Sequence, residues 1–225
     1  MTSRTVLVDV DVQNDFCLAD GALAVPGSPN ALYARIVALA ERERWPIVGS
    51  VDSHAFDAWE FASNGNVGPS GEDPRFPDHC VKGTRGWLKV EGTLPKRFRF
   101  APCVPNLPHD ALAAELARGD NQGLYFEKEV YSLFANPSAE AVLGALRLAL
   151  EADGGRARFV VFGVATDYCV RAAALGLASR GYETVVLTDA IRGITEEGTR
   201  AALEEMRAAG ARLANAREAL GASLG

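Results

Sequence analysis

An acid, a lysine and a cysteine each stand at the end of an apolar segment of this chain. Asp11 follows TVLVDV, Lys128 ends GLYFEK, and Cys169 follows RFVVFGV after a short turn. Such β-type apolar runs predict buried strands. Because ligands bind at the carboxyl ends of parallel strands, we expect these three side chains on one edge of a sheet.

Such a group supports hydrolysis through a cysteine nucleophile. The thiolate is the reactive form, and the start of a helix at Cys169 would lower the pKa of its thiol. A partly desolvated Asp11 could take the thiol proton and return it to a leaving amine, with Lys128 holding both groups. The competing interpretations are a buried core cysteine, a loop acid and a solvated lysine. No strand leads into a helix at Cys17, Cys80 or Cys103, which we interpret as core cysteines.

A second set of residues has the types and spacing of metal ligands. Asp52 and His54 lie two residues apart, which places them on the same side of an extended chain. His79 follows in FPDHC, and Glu72, seven residues earlier, is our choice of further ligand, with Glu60 as the alternative. These ligands suit one divalent ion, with Zn preferred and Fe or Mn as alternatives. The competing interpretation is a set of hydrogen-bonding loop residues.

The elements that must position these residues alternate between strands and helices. This order predicts an α/β fold, a three-layer α/β/α sandwich around a mainly parallel sheet of about six strands, in one domain over residues 1–225. The predicted strands are 5–10, 45–52, 123–128, 158–164, 182–189 and a short one near 211–214. The predicted helices are 29–44, 137–152, 167–179 and 196–209, the last capped by Thr195.

Residues 53–110 are the exception to this alternation. They are rich in Gly, Pro, Asp and aromatic residues, and a long irregular segment that is not disordered is usually functional. We expect an irregular active-site segment there. Its basic and aromatic stretch KRFRF (96–100) fits a solvated loop with a buried Phe better than a nucleic-acid contact.

Composition narrows the class of protein further. The chain has 225 residues and a net charge of −6, which gives no support for binding nucleic acid or an anionic membrane. No segment approaches the roughly 20 apolar residues that span a bilayer, and the N-terminus does not have the pattern of a signal peptide. The four cysteines are widely spaced, which predicts reduced thiols and a cytoplasmic protein.

Other polar residues near these motifs are interpreted as structural. Gln13, Asn14 and Asp15 are expected to make hydrogen bonds around the reactive group. Asp167 lies in the first turn of the cysteine helix, where an acid suits the helix dipole. Asp189 ends a strand and is interpreted as a cap.

These motifs together resemble the nicotinamidase branch of the isochorismatase-like cysteine hydrolases. The resemblance runs over roughly residues 5–213 and rests on VDVDVQNDFCLADGALAVPGS, DSH with FPDHCVKGTRG, FEKEVYSLF, and GVATDYCVRAAALGLASRGYETVVLTDAIRG. It implies a catalytic triad of Asp11, Lys128 and Cys169. It also implies a cis Val164–Ala165 bond, with the N–H groups of Ala165 and Cys169 as an oxyanion hole. The nucleophilic cysteine argues against isochorismatase activity itself.

The resemblance further implies a substrate and a cofactor. Nicotinamide would be hydrolysed to nicotinate and ammonia through a thioester, in NAD salvage, with the metal holding the pyridine nitrogen. Substrate-binding residues would be Phe16, Phe76, Tyr131, Val164 and Ala165; for the aromatic ones, plain core packing is the alternative. The segment 88–108 resembles an insertion relative to short members of the family.

Three questions stay open at this level. The substrate is a small-molecule amide, but another amide or a carbamoyl or ureido compound is the alternative to nicotinamide. A catalytically silent binding protein on the same fold is the interpretation from another class, and the intact triad disfavours it. The sequence does not decide between a monomer and a homo-oligomer.

Overall fold

A parallel β-sheet forms the centre of the protein. The computed structural model describes residues 3–65, 67–68 and 71–221. Within these residues seven strands pair in the order β3-β4-β2-β1-β5-β6-β7, and all pairs are parallel. The strands are β1 (Ser3–Val10), β2 (Ile47–Asp52), β3 (Phe98–Ala101), β4 (Gly123–Lys128), β5 (Arg156–Val164), β6 (Glu183–Arg192) and β7 (Arg212–Ala214).

Helices cover both faces of this sheet, as the alternating pattern predicts. Along β1 the side chains alternate: Val6 and Val8 join one apolar core cluster and Leu7 joins the other. The α3, α4, α5 and α6 helices pack on the first face, and α1, α2 and α7 on the second. Their bounds are α1 (Asn14–Cys17), α2 (Asn30–Glu43), α3 (His109–Arg118), α4 (Ala139–Glu151), α5 (Arg171–Ser179), α6 (Glu196–Ala208) and α7 (Ala216–Leu220).

The α/β/α prediction is confirmed, with one strand more than expected. The additional strand is β3, which begins inside KRFRF, lies at the edge of the sheet and pairs only with β4 among the described strands. Most of its side chains are exposed or half-buried, so it shows no apolar alternation, and we had interpreted it as a loop. Thr195 caps α6, because its hydroxyl accepts a hydrogen bond from the Gly198 N–H.

The irregular segment before β3 is tied to the sheet by backbone hydrogen bonds. The Asn14 N–H donates to the Leu88 carbonyl, and the Val90 N–H donates to the Val12 carbonyl. Gln13 and Lys89 form an isolated antiparallel bridge between these bonds. These bonds hold residues 88–90 of the segment beside the residues that follow the carboxyl end of β1.

Lys89 also brings a charge into the interior from this segment. Its Nζ lies 2.6 Å from Asp9 Oδ1, and both side chains are fully buried. The ammonium also lies 4.9 Å from the ring centroid of Tyr125. Burial raises the pKa of Asp9, an effect that Lys89 opposes. The ion pair thus links the segment 88–108 to the carboxyl end of β1.

Among the described residues, the helices are all too short or too polar to cross a membrane.

We expect Lys89→Met to lower the free energy of unfolding by about 3 kcal/mol, because it leaves the Asp9 carboxylate buried without a countercharge. Replacing both partners, with Asp9→Leu and Lys89→Met, should bring stability back to within about 1 kcal/mol of the wild type. Urea denaturation measures both values.

The control is Arg85→Met, which breaks the exposed pair between Arg85 and Asp20. An exposed pair contributes at most about 1 kcal/mol. A Lys89→Met variant no less stable than Arg85→Met would contradict the role of the buried pair.

Candidate active site

A single buried lysine holds two carboxylates and the cysteine together. Lys128 Nζ lies 2.9 Å from Asp11 Oδ2 and 3.7 Å from Cys169 Sγ, and it donates a short hydrogen bond to Asp52 Oδ1. Asp11 and Lys128 are fully buried. The structure thus brings together the three residues of the expected triad, and it joins them to Asp52 of the expected metal set.

The strand order explains this meeting point. β4, β2, β1 and β5 are neighbours, so Lys128, Asp52, Asp11 and the turn after β5 all lie at one edge. Asp52 and Lys128 are paired in the register of β2 and β4. Near the end of β5, a Cβ on Gly163 would collide with the Val10 carbonyl, so only glycine allows the strands this close.

The charges of this group stabilise one another. Burial alone would raise the pKa of Asp52, but attraction to Lys128 and the contact with His54 hold it well below its usual range. Burial would lower the pKa of Lys128, and the charges of Asp11 and Asp52 instead raise it well above its usual range. Lys128 is therefore an ammonium and Asp52 a carboxylate at neutral pH.

For Asp11 and Cys169, in contrast, the surroundings favour the neutral, protonated form. Burial raises the pKa of Asp11 despite attraction to Lys128. Burial also raises the pKa of the Cys169 thiol well above its usual value, with Lys128 opposing and Asp11 adding to the shift. The expectation that a helix start lowers this pKa is wrong, because desolvation outweighs it. Cys169 lies in a π-helical turn, Thr166–Val170, and its resting form is the thiol.

Two imidazoles and two carboxylates converge next to the triad. His54 Nε2 lies 3.1 Å from Glu60 Oε1 and 3.8 Å from Asp52 Oδ2. His79 Nε2 lies 3.3 Å and 3.9 Å from the same two oxygens. The Nδ1 atom of His79 is 2.8 Å from the Pro77 carbonyl, which leaves Nε2 for a ligand. Asp52 contacts Lys128 with one oxygen and faces this cluster with the other.

This cluster fits a divalent ion. Among the residues that the structure describes, Nδ1 of the buried His54 has no hydrogen-bond partner, and its Nε2 makes no well-oriented hydrogen bond although Glu60 Oε1 lies 3.1 Å away. A buried nitrogen without a partner is costly unless something binds it. Asp52, His54 and His79 each offer one donor atom, and these atoms lie within 4.8 Å of one another. Imidazole and carboxylate donors suit Zn, Fe or Mn.

The structure places Glu60, and not our choice Glu72, beside the two histidines. Glu60 is buried, and its carboxylate contacts both histidines. Its carbonyl accepts hydrogen bonds from the N–H groups of Arg75 and Phe76, which fixes it beside FPDHC. Glu72 is exposed, with Oε2 close to Gly68 and the Trp59 ring. The fold of the loop, and not the spacing to His79, decides which acid reaches the cluster.

A pocket opens over Cys169. Phe16, Phe76, Tyr131 and Ala165 line it, as expected for substrate-binding residues. Val164 does not belong to this lining: its side chain is fully buried in the apolar core. The Val164–Ala165 bond is cis, as expected. The other lining residues are Leu23, Val25, Asp52, Glu60, His79, Glu129, Val130, Tyr168, Cys169 and Ile194.

Several of these positions were not identified from the sequence. Tyr168 and Ile194 lack a chemical signature, because an apolar or aromatic wall residue has the composition of any core residue. The Tyr168 ring packs 5.2 Å from Tyr131, centroid to centroid. Ser50 donates a 2.7 Å hydrogen bond to Asp11 Oδ1 and was also missed. Its position in the sequence, two residues before the end of β2, was the available signal that it lies near the site.

The expected structural residues bind backbone around the site. Gln13 Nε2 donates to the Asp52 carbonyl at 2.8 Å, and Gln13 Oε1 accepts from the Asp52 N–H at 2.8 Å. Asp15 accepts from the Cys80 N–H at 2.7 Å, and Asn14 donates to the Arg85 carbonyl. These bonds fix the backbone on either side of Asp52 and His79.

The remaining cysteines stay outside this chemistry. All four thiols are free. Cys17 and Cys80 are buried, and burial raises the pKa of Cys17 to about 12. Cys103 is exposed, which corrects its interpretation as a core cysteine.

A thiol, a buried acid and a buried lysine at the carboxyl edge of a parallel α/β sheet form a candidate hydrolase site. Comparison with known proteins agrees. A family model described as "Isochorismatase domain" matches residues 5–218, and the chain belongs to this family.

The similar proteins indicate the branch within the family. The Escherichia coli protein "Nicotinamidase" is 31% identical over 95% of each chain. The Mycobacterium tuberculosis "Nicotinamidase/pyrazinamidase" is 34% identical over 92% of this chain and 96% of its own. The pyrazinamidase of Pyrococcus horikoshii, solved in complex with zinc, has a TM-score of 0.66 at 27% identity, covering 94% of this chain and 99% of that one. The chain is a hydrolase that acts on an amide bond.

We expect Lys128→Met to destabilise the protein by about 3 kcal/mol at pH 8, because two buried carboxylates lose their countercharge. The loss should shrink at pH 5. The folded-state pKa of Asp11 is already raised, and without Lys128 it rises further. Between the unfolded pKa and that raised value the folded protein binds more protons, so stability falls as pH rises. Urea unfolding at both pH values measures this.

Arg118→Met is the control, because Arg118 and its partner Asp120 are both exposed. Its effect should stay within about 1 kcal/mol at both pH values. A Lys128→Met loss that grows as the pH falls would be incompatible with the described charges.

Proposed function

We propose that this protein is a metal-dependent nicotinamidase, which converts nicotinamide to nicotinate and ammonia. The observation that carries the proposal is the contact of Lys128 with Asp11, Asp52 and Cys169, which couples a cysteine nucleophile to a candidate metal cluster in one pocket. The names of the E. coli and M. tuberculosis relatives support the substrate.

The pocket suits a flat aromatic amide. Phe16 and Phe76 contact the His79 ring, at centroid distances of 5.4 and 5.9 Å, and Phe76 lies 6.4 Å from Tyr168. Such walls bind a planar ring on its faces and edges. The carboxamide then points towards Cys169 and Ala165, which line the same pocket.

The first half of the reaction forms a thioester and releases ammonia. Asp11 accepts the proton of the Cys169 thiol, and the thiolate sulfur attacks the amide carbonyl carbon. The N–H groups of Ala165 and Cys169 stabilise the oxyanion. Asp11 then gives its proton to the departing nitrogen, the C–N bond breaks, and Lys128 holds both Asp11 and the sulfur in place. The raised pKa of Asp11 suits a group that must both accept and donate this proton.

The second half hydrolyses the thioester. Asp11 takes a proton from water, whose oxygen attacks the thioester carbonyl carbon. The C–S bond breaks, the sulfur recovers a proton from Asp11, and the product leaves as nicotinic acid, which gives its carboxyl proton to solvent to become nicotinate. The raised pKa of the thiol means that the sulfur is protonated again after each cycle.

The residues that would hold the metal are Asp52, His54, His79 and Glu60. When bound, the divalent ion supplies a Lewis acid for the pyridine nitrogen of the substrate. Zinc is our preferred ion, since the P. horikoshii structure was solved with zinc, and iron or manganese are the alternatives.

The cellular setting is part of the proposal. Four free thiols fit a reducing compartment, and we place the protein in the cytoplasm, where nicotinate would enter NAD salvage. That residues 1–225 form one domain stays a prediction. A homo-oligomer stays a possibility alongside a monomer.

We expect Cys169→Ala to lower kcat for nicotinamide at least about 10⁴-fold, because no other thiol lies beside Asp11 and Lys128 among the described residues. Ammonia release measures this, and the thermal unfolding midpoint checks the fold. Cys103→Ala, which removes an exposed thiol, is the control and should keep full activity. Turnover retained by Cys169→Ala would exclude Cys169 as the nucleophile. If the wild type hydrolyses only other amides or ureido compounds, the proposed substrate changes and the proposed role of Cys169 stays.

We expect Glu60→Gln to weaken zinc binding at least about tenfold, because it removes an anionic donor beside both histidines. His54→Ala should lose the metal as well. Zinc content after dialysis against graded chelator measures both. Glu72→Gln is the matched control and should bind zinc like the wild type. Equal losses in the two glutamine variants would show that Glu60 is not the acid that matters.

A further inference from the structure

The turn that carries the nucleophile also holds the loop after the next strand. Asp167 lies two residues before Cys169, and its carboxylate accepts two backbone N–H groups from that loop. The Ile194 N–H donates to Oδ1 at 3.0 Å and to Oδ2 at 3.2 Å, and the Thr195 N–H donates to Oδ2 at 3.1 Å. Hydrogen bonds to an ionised carboxylate are roughly twice as strong as neutral ones.

Two glycines leave room for this carboxylate. A Cβ on Gly198 would lie 2.8 Å from Asp167 Oδ2 and 2.7 Å from Thr195 Oγ1. A Cβ on Gly193 would collide with Thr199 Oγ1 and lie 3.1 Å from Asp167 Oδ1. Any side chain at these positions would displace Asp167 or the loop, so the fit depends on both glycines.

The sheet pairing stops just before this loop. The pairing of β5 with β6 shifts register between Val161 and Gly163, resumes at Gly163 and Ile191, and has its last pair at Val164 and Arg192. Residues 193–195 lie beyond that pair, and Asp167 binds them there.

That loop supplies one wall of the substrate pocket. Ile194 lines the pocket, together with Ala165, Tyr168 and Cys169 from the Asp167 side. Its side chain is 42% exposed, so few contacts of its own hold it. The two N–H bonds to Asp167 are thus the described polar contacts that set the distance between this wall and the nucleophile.

We infer that Asp167 is a positioning residue for substrate binding, which holds the Ile194 wall in place relative to Cys169. The inference rests on the proposed function only for the identity of the substrate. It assigns to Asp167 a role beyond the helix dipole that its position in the sequence suggests. Loss of the carboxylate should loosen the wall and leave the nucleophile intact.

The experiment compares Asp167→Asn with Asp189→Asn, both in a Cys103→Ser background. Asp189 Oδ1 also accepts a backbone N–H, from Ala216 at the start of α7, but Asp189 is not part of the pocket lining. Four quantities are measured: kcat, KM for nicotinamide, the rate at which iodoacetamide alkylates Cys169, and amide hydrogen exchange of residues 193–195.

Asp167→Asn should raise KM about tenfold and change kcat by less than about threefold, because a neutral amide with one accepting oxygen holds the two N–H groups more weakly than a carboxylate with two. Exchange at Ile194 and Thr195 should accelerate, and the alkylation rate should stay within about twofold of the wild type. Asp189→Asn should change none of the four. In Asp167→Asn with Ile194→Ala, KM should rise no further than in the more affected single variant, since both act on one wall.

An unchanged KM, or unchanged exchange at Ile194 and Thr195, would overturn the inference. A fall in kcat and in alkylation with KM unchanged would also overturn it, because Asp167 would then support the nucleophile and not the wall. Multiplicative effects in the double variant would do the same. Failure of the proposed function is separate: a wild type without activity on nicotinamide removes the substrate assignment, and the exchange measurement still decides whether Asp167 holds the loop.

Discussion

The Lys128 ammonium is the charge on which the site depends. It is fully buried, and it contacts Asp11, Asp52 and Cys169. A buried cation is stable only when anions surround it, and two adjacent buried carboxylates are stable only with a cation between them. The charged side chains at the ends of β1, β2 and β4 therefore depend on one another, because removing any one of them leaves the remaining charges uncompensated. This mutual dependence links Cys169 to the candidate metal cluster, since Asp52 contacts Lys128 with one oxygen and faces the histidines with the other.

The same charges and the same burial give Cys169, Asp11 and Asp52 different protonation states. Desolvation raises the pKa of the Cys169 thiol, so the proposed mechanism requires a base in each cycle. Desolvation also raises the pKa of Asp11, which suits the proposed role of a base that returns the proton as an acid. Asp52 lies closer to the histidines and stays ionised. Two aspartates on neighbouring strands thus differ in function because their surroundings differ, a division typical of active sites.

Much of this arrangement could be predicted from the sequence, because strand ends are local signals and a parallel sheet gathers them at one edge. That logic placed Asp11, Lys128 and Cys169 together. It failed where tertiary contacts decide. Glu60 reaches the histidines because its backbone binds the FPDHC stretch, which no spacing rule shows. Strand β3 has exposed side chains and no alternation, and the thiol pKa follows from burial more than from helix position.

The most direct test of the account is a single-turnover reaction of excess protein with nicotinamide, quenched in acid and analysed by peptide mass spectrometry. The account predicts a nicotinoyl group on the peptide that contains Cys169, appearing before nicotinate and decaying as nicotinate forms. Conversion of nicotinamide to nicotinate with the acyl group on another residue would contradict it. So would conversion with no acylated peptide at any quench time, together with no hydroxamate when hydroxylamine competes with water.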